Sequence, residues 1–337
     1  MVLKKAKVLI TDPTLMREDI IDEKISRELE SVATVVKAIP RSDAEMLRLI
    51  QDADAIMLGD FPLSSTLIES ARRLKIIARV GIGYDGVDVS AASNKKILVT
   101  NVPTGSSNAV AEHAILLMLS VARKIVTADA SVRTQHWEEF FRNPPAFELA
   151  GKTLGIIGFG LIGSAVAQRA KGFNMELLAF DPYRSENKID EAGARKATLQ
   201  ELLRMSDVVT IHTPLTPETK GLIGARELSL MKKSAILVNT SRGGVLDETS
   251  LVGALKEKRI AGAGLDVLAI EPPELNNPLL SLSNVVLTPH CASFTIEVCK
   301  MLWRVCSDAV IRVLRGEIPQ PPVNVINREL IPLLKKK

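Results

Sequence analysis

An α/β protein with two doubly wound, parallel-sheet domains is predicted by three observations. The length of 337 residues, at about 150 residues per domain, suggests about two domains. Short β-branched runs alternate with amphipathic helical segments from the start of the chain, which calls for parallel strands covered by helices on both faces. That alternation halts near a proline pair and then begins again.

The first series opens on residues 1–10, whose basic residues precede only a short apolar run ending at Asp12-Pro13. It reads as a strand and not as a signal peptide. Strands are expected at 7–11, 33–38, 54–58, 76–80 and 97–100, with helices near 18–31, 43–51, 64–73 and 88–95. A long helix follows over about 107–130, and Asn143-Pro144-Pro145 marks a loop because consecutive prolines stop regular structure. The second series places strands at 153–158, 176–181, 207–212, 235–239, 261–266 and 284–287, a second doubly wound unit. Thr198-Leu199-Gln200-Glu201 reads as a capping box, and Asp247 as the cap of a helix running towards Lys258. A last helix over about 294–315 ends at Gly316. The tail beyond it, with Pro319, Pro321, Pro322 and Pro332, is expected to fold its final apolar residues back on the first unit.

Composition narrows the function classes. A hydrophobic fraction of 46% and a charged fraction of 24% belong to an ordinary soluble globular protein, which excludes disordered, collagen-like and disulfide-scaffold classes. Aromatic residues make up only 4%, and most of the net charge of +4 comes from the lysines at 335–337, so no nucleic-acid partner is expected. The longest apolar segment, 114–122, is too short to span a bilayer, so no membrane partner is expected either. Cys291, Cys299 and Cys306 show no paired spacing and fit buried thiols in a reducing cytoplasm. Their intervals are too open for a compact zinc site with His290, and no metal is expected.

The strongest local signal is Gly158-Phe159-Gly160-Leu161-Ile162-Gly163, set between an apolar strand and a helix. Gly158 permits the tight turn, Gly160 lets backbone N–H groups approach a pyrophosphate, and Gly163 allows close packing of helix on strand. The helix N-terminus adds partial positive charge. Eighteen residues after Gly163 a second strand ends at Asp181, whose carboxylate can accept from both ribose hydroxyls of an adenosine, which points to NAD. A 2′-phosphate about 4 Å away would meet a repulsion of about 4 kcal/mol per unit charge pair at an effective dielectric near 20. Arg184 stands three residues on and could turn to meet such a phosphate.

Three polar residues fall at or just after strand ends of the second series, where open α/β sheets bind ligands. They are Arg242 in Asn239-Thr240-Ser241-Arg242-Gly243-Gly244, Glu271 in the segment from Asp266 to Pro272, and His290 in Leu287-Thr288-Pro289-His290-Cys291-Ala292. Taken singly, each has an ordinary reading as a surface cation, a loop charge and a satisfied histidine. Together with Val80-Gly81-Ile82-Gly83-Tyr84-Asp85-Gly86-Val87-Asp88, Asn108-Ala109-Val110-Ala111-Glu112-His113, His212-Thr213-Pro214-Leu215 and the glycine motif, they make the chain resemble the D-2-hydroxyacid dehydrogenase family over nearly its whole length. Phosphoglycerate dehydrogenases and glyoxylate/hydroxypyruvate reductases belong to that family.

The chemistry of such a reaction suits these residue types. Moving a hydride between C2 of a 2-hydroxy acid and a nicotinamide needs a proton donor and acceptor near neutrality, for which His290 is the candidate. Glu271 would hold its other ring nitrogen and favour the imidazolium. Arg242 can hold the substrate carboxylate as a fork and polarise the 2-oxo group, and backbone N–H groups around Gly81, Ile82 and Gly83 would help. The resemblance further implies that Asp266 meets the nicotinamide side of the cofactor, while Leu161, Ile162, Thr213, Thr240 and Ser241 line its path. It implies a discontinuous substrate domain of residues 1–101 plus 293–337, a nucleotide domain of 102–292, an active site in the cleft between them, and a homodimer formed through the helix near 107–130. His113 is expected to be structural or interfacial, and His212 to lie near the cofactor ribose.

For the substrate, the loop Gly59-Asp60-Phe61-Pro62-Leu63-Ser64-Ser65-Thr66 has no basic residue where phosphoglycerate dehydrogenases commonly place an arginine. With the chain stopping at Lys337, short of the regulatory domains some of those enzymes append, an unphosphorylated small 2-oxo or 2-hydroxy acid is favoured. The alternatives are 3-phosphoglycerate and, from another class, a cofactor-sensing binding protein like the C-terminal-binding-protein corepressors. Cys291 stands where the family often has a bulky aliphatic, and a thiol beside the acid/base would make activity oxidant-sensitive if it were reactive.

Overall fold

A computed structural model describes residues 5–142 and 144–334, so Asn143 of the expected loop lies outside the described residues. The chain divides into two compact units, Met1–Ser106 with Phe294–Lys337, and Ser107–Ser293. The divisions fall after Ser106 and Ser293, whereas the resemblance placed them after 101 and 292.

In the first unit β1 (Ala6–Ile10), β2 (Ala33–Lys37), β3 (Ala55–Leu58), β4 (Ile76–Arg79) and β5 (Leu98–Asn101) form a parallel sheet in the order β5-β4-β3-β1-β2. Every residue of β3, β4 and β5 is buried, which is why these segments read as near-continuous apolar runs without alternation. The tail adds a short antiparallel strand, Asn324–Val325, outside β5. Buried Asn327 then holds the tail in place: its Oδ1 accepts from Val99 N at 2.8 Å and its Nδ2 donates to Ile97 O at 2.9 Å. Leaving either backbone group unpaired there would cost about 1–3 kcal/mol.

One expected helix differs. Residues 18–31 are not continuous: single 3-10 turns occupy Thr14–Met16 and Glu18–Ile20, and the α-helix is Glu23–Val32. The Asp22 carboxylate accepts from the N–H groups of Lys24 and Ile25, and this cap sets the start.

The second unit contains β6 (Thr153–Ile157), β7 (Glu176–Phe180), β8 (Arg195–Lys196), β9 (Val208–Ile211), β10 (Ile236–Asn239), β11 (Gly262–Leu265) and β12 (Val285–Leu287), all parallel. Their order is β12-β11-β10-β9-β6-β7-β8. The chain runs outward one way from β6 to β8 and the other way from β9 to β12, so β6 and β9 flank the topological switch point where such sheets bind ligands. Asn239 pairs with Leu265 and Leu265 with Leu287, so the C-terminal ends of β10, β11 and β12 stand level.

The long helix expected over 107–130 is two helices, Ser107–Ala122 and Ile125–Arg133. Lys124 between them sits at φ +54°, in the left-handed region, which ends the first helix. The first buries most of its length against β10 and β11, while no residue of the second is buried. The capping box at Thr198 is only half made. Thr198 accepts from Glu201 N, but the Glu201 carboxylate is drawn to Arg195 at 2.7 Å. Asp247 caps Glu248–Lys256 through Ser250 N as expected.

Candidate active site

The glycine loop lies directly after β6. Gly158 has φ +88°, and a Cβ there would stand 2.7 Å from His212 O. A Cβ on Gly163 would come within 2.1 Å of Gly158 O, so the helix Leu161–Lys171 can seat against the turn only without one. Gly160 caps that helix, and a Cβ there would meet nothing within 4 Å. Leu161 is exposed beside this open space, whereas Ile162 packs against the core. Thr213, just past β9, carries a buried hydroxyl oxygen with no partner among the described residues. A helix N-terminus, an uncluttered glycine and an unpartnered buried hydroxyl on the switch point are the fittings of a dinucleotide pyrophosphate site, and the residues present fit NAD.

Asp181 ends β7. Its Oδ2 accepts from Phe159 N at 2.8 Å, and its Oδ1 from Tyr183 N at 2.8 Å and Arg184 N at 3.1 Å. These bonds tie it to the glycine loop. A carboxylate offers about four acceptor positions, so room for a ribose hydroxyl remains on Oδ2. The Arg184 carbonyl is held by Lys196 Nζ at 2.6 Å.

The three candidate reactive residues come from the loops that follow the level ends of β10, β11 and β12. After β10, Asn239 shapes the turn: its Oδ1 accepts from Ser241 N at 3.0 Å and Ser241 Oγ at 2.8 Å, and its Nδ2 donates to Arg242 O at 2.9 Å. Arg242 Nη1 donates to Ser241 O at 2.8 Å. A Cβ on Gly243 would stand 1.9 Å from Leu268 O, so a glycine is required for this turn to pack on the loop after β11. In that loop Glu271 Oε1 accepts from Leu268 N at 2.9 Å, and Glu271 Oε2 lies 2.7 Å from His290 Nδ1. The pair is partly exposed, at 33% and 29% of the side-chain surfaces. His290 adopts φ +50°, a region rare outside glycine although histidine is enriched in it. It is held there by its N–H, which donates to Asp266 O at 2.8 Å and Thr288 O at 3.0 Å.

Asp266 does more than its sequence position suggested. It is only 1% exposed, and its Oδ1 accepts from Thr288 Oγ1 at 2.6 Å and Cys291 N at 2.9 Å, while Oδ2 accepts from Ala292 N at 2.9 Å. Burial opposes ionisation, but His113, Thr288 and the two backbone N–H groups outweigh it and hold the carboxyl below its usual value. The carboxylate is thus a clasp on the loop that carries His290. Thr288 and His113 complete the clasp, with His113 Nε2 at 2.9 Å from Thr288 Oγ1. Neither Thr288, two residues before His290, nor Asn239, next to Thr240, was singled out from the sequence.

His212 lies between Thr210 Oγ1, at 2.9 Å from Nε2, and Thr240 Oγ1, at 3.5 Å from Nδ1. Burial lowers its pKa to about 3. Burial and then the Asp266 carboxylate push the Cys291 thiol up, away from the thiolate. Gly81, Ile82 and Gly83 belong to the other unit, after β4. Gly81 has φ +128°, Gly81 O accepts from Val102 N at 2.9 Å, and Ile82 O accepts from Asn101 Nδ2 at 2.6 Å. No residue among those described accepts from the three N–H groups of this turn.

A doubly wound sheet with this glycine loop, and a histidine–glutamate pair whose glutamate lies on a loop packed against the turn that carries Arg242, defines a nucleotide-dependent oxidoreductase type of site. Residues 115–292 match the NAD binding domain of the D-isomer specific 2-hydroxyacid dehydrogenases. The chain is 43% identical over 301 residues to a glyoxylate reductase of Thermococcus litoralis, covering 88% of this chain and 89% of that one. It is 42% identical over 323 residues to a D-3-phosphoglycerate dehydrogenase of Methanocaldococcus jannaschii, covering 95% of this chain but 60% of that longer protein. The crystal structure of a glyoxylate reductase from Paecilomyes thermophila superposes with a TM-score of 0.81 at 28% identity, covering 97% of this chain and 100% of that one. This chain belongs to the D-isomer specific 2-hydroxyacid dehydrogenase family, and its second unit carries most of that family's NAD binding domain.

The environment of His212 makes a direct prediction. Its neutral ring has a pKa depressed to about 3, so its imidazole resonances should stay fixed by NMR from about pH 8 down to about pH 5, where an ordinary histidine titrates. A midpoint near the ordinary value of about 6.5 would contradict the burial that sets it.

Proposed function

We propose that this chain is an NAD-dependent D-2-hydroxyacid dehydrogenase that interconverts a small, unphosphorylated 2-oxo acid and its 2-hydroxy acid. The observation that carries this reading is the 2.7 Å contact between His290 Nδ1 and Glu271 Oε2 beside the Arg242 turn. Nicotinamide, when bound, supplies or accepts the hydride. In the reducing direction Arg242 binds the substrate carboxylate and draws electron density from the 2-oxo group. His290 delivers its proton from Nε2 to the 2-oxo oxygen, while Glu271 fixes the ring through Nδ1 and offsets the charge the imidazolium carries. In oxidation His290 takes that proton back.

The preference for an unphosphorylated acid rests on the loop after β3. Its Asp60 carboxylate pairs with Arg79, whose guanidinium also donates to Leu58 O and Val80 O, so this cation is already engaged by the protein. Phosphoglycerate oxidation is the second reading, favoured by the 42% identity to the longer phosphoglycerate dehydrogenase. The carboxylate of Asp181, anchored on the glycine loop, favours NAD over NADP.

A homodimer working in the cytoplasm completes the reading. Ile125, Val126, Val132, Trp137 and Phe141 expose large apolar surface on the helices Ile125–Arg133 and Trp137–Phe140 and just beyond them, as a surface awaiting a second copy does. Light scattering on the eluting protein should give twice the chain mass, and Trp137→Asp should shift it towards one; a wild-type monomer contradicts the dimer.

The activity itself is tested by the initial rate of NADH loss, and separately NADPH loss, with glyoxylate, hydroxypyruvate, 3-phosphohydroxypyruvate and bulkier 2-oxo acids. Turnover of an unphosphorylated acid with NADH is expected. Preference for the phosphorylated acid would select the second reading. Tight NADH binding without turnover of any acid would overturn both and point to a cofactor-sensing binding protein.

A further inference from the structure

Beside the residues assigned to the reaction, the second unit brings three metal-donor types together. A ring nitrogen of His113, a carboxylate oxygen of Asp266 and Cys291 Sγ all lie within 4.8 Å of one another. They come from the helix Ser107–Ala122, the end of β11 and the loop after β12. His113 Nε2 stands 3.4 Å from Asp266 Oδ1. Bonds of about 2.0–2.3 Å to a tetrahedral centre place neighbouring donors roughly 3.3–3.8 Å apart, so this edge already has tetrahedral length. Imidazole nitrogen, carboxylate oxygen and thiolate sulfur on one centre are the donor set of a zinc-like ion, and three protein ligands leave a position for water. Two of the ligands are already oriented by other bonds: Asp266 Oδ2 by Ala292 N, and the Cys291 backbone by Asp266 Oδ1.

We propose that His113, Asp266 and Cys291 form a binding site for a thiophilic divalent cation such as Zn2+, and that filling it slows the dehydrogenase reaction. Binding makes three local demands. The Cys291 thiol gives its proton to solvent as sulfur ligates. His113 presents the Nε2 lone pair, its ring proton standing on Nδ1 in the bound form. The Thr288 hydroxyl turns away from Asp266 Oδ1, which it now reaches at 2.6 Å. The effect on catalysis follows from chain connectivity. Cys291 is the neighbour of His290, and the Asp266 carbonyl holds His290 N–H at 2.8 Å, so a cation drawing Asp266 and Cys291 together displaces the backbone that aims the acid/base. Binding is independent of the reaction assigned above, whereas the inhibition rests on it.

The test is a titration of the metal-free, full-length protein with Co2+ alone. One equivalent should produce a thiolate-to-cobalt charge-transfer band in the near ultraviolet and the intense visible bands of four-coordinate cobalt, and Zn2+ should abolish both. Cys291→Ala removes only the sulfur; it should lose the charge-transfer band and bind at least about tenfold more weakly. His113→Gln should keep the band while binding more weakly. No band in the wild type, or the same band in Cys291→Ala, overturns the site. With an acid the enzyme turns over, Zn2+ should inhibit the wild type and leave Cys291→Ala at its own metal-free rate; equal inhibition of both overturns the regulatory role. A protein that shows the cobalt band yet turns over no 2-oxo acid would overturn the reaction and with it the inhibition, while the site would stand.

Discussion

The Asp266 carboxylate is the constraint on which the rest of the site depends. A carboxylate removed from water is costly unless donors replace the lost hydration. Here Thr288 Oγ1, Cys291 N and Ala292 N supply them, with His113 close by. The donors lie on the segment from Thr288 to Ala292, so satisfying the buried charge also fixes the course of the chain through His290. That residue can then occupy a left-handed conformation at φ +50°, whose cost of about 1–3 kcal/mol is tolerated because its N–H is held at both Asp266 O and Thr288 O. The level ends of β10, β11 and β12 do the remaining positioning, because three neighbouring parallel strands release their loops on one edge of the sheet.

Two histidines on this edge show how environment divides roles. His212 is half-buried between two threonine hydroxyls, burial of its ring lowers its pKa to about 3, and the ring stays neutral. His290 faces a glutamate at 2.7 Å and keeps part of its surface open. Only the second arrangement suits a group that must gain and lose a proton against a ligand. The same logic separates the acids: Asp266 and Asp181 spend their oxygens largely on backbone N–H groups and shape loops, whereas Glu271 uses one oxygen to anchor itself and the other to hold an imidazole.

Much of this was legible in the sequence, for identifiable reasons. Strands buried on both faces leave continuous apolar runs, and β3 to β5 lie within a residue or so of where those runs place them. Gly158 and Gly163 announce a turn too close for any side chain, and the distances to His212 O and Gly158 O bear this out. What was not legible depended on competition between partners. Residues 107–130 have unbroken helical character, but Lys124 breaks the run by adopting φ +54°. Glu201 has the right spacing for a capping box but finds Arg195 instead. The clasp of Asp266, Thr288 and His113 joins residues far apart in sequence, and β8 and the Asn324–Val325 strand are two-residue pairings that no periodicity marks.

The account's central claim is that His290, aimed by the Asp266 clasp and paired with Glu271, moves the proton. The direct measurement compares His290→Ala with the wild type for NADH binding, read by fluorescence, and for turnover of the preferred 2-oxo acid. NADH affinity should be essentially unchanged while turnover falls by about a hundredfold to ten-thousandfold, the range for a lost acid/base. A variant that kept full turnover would contradict the account.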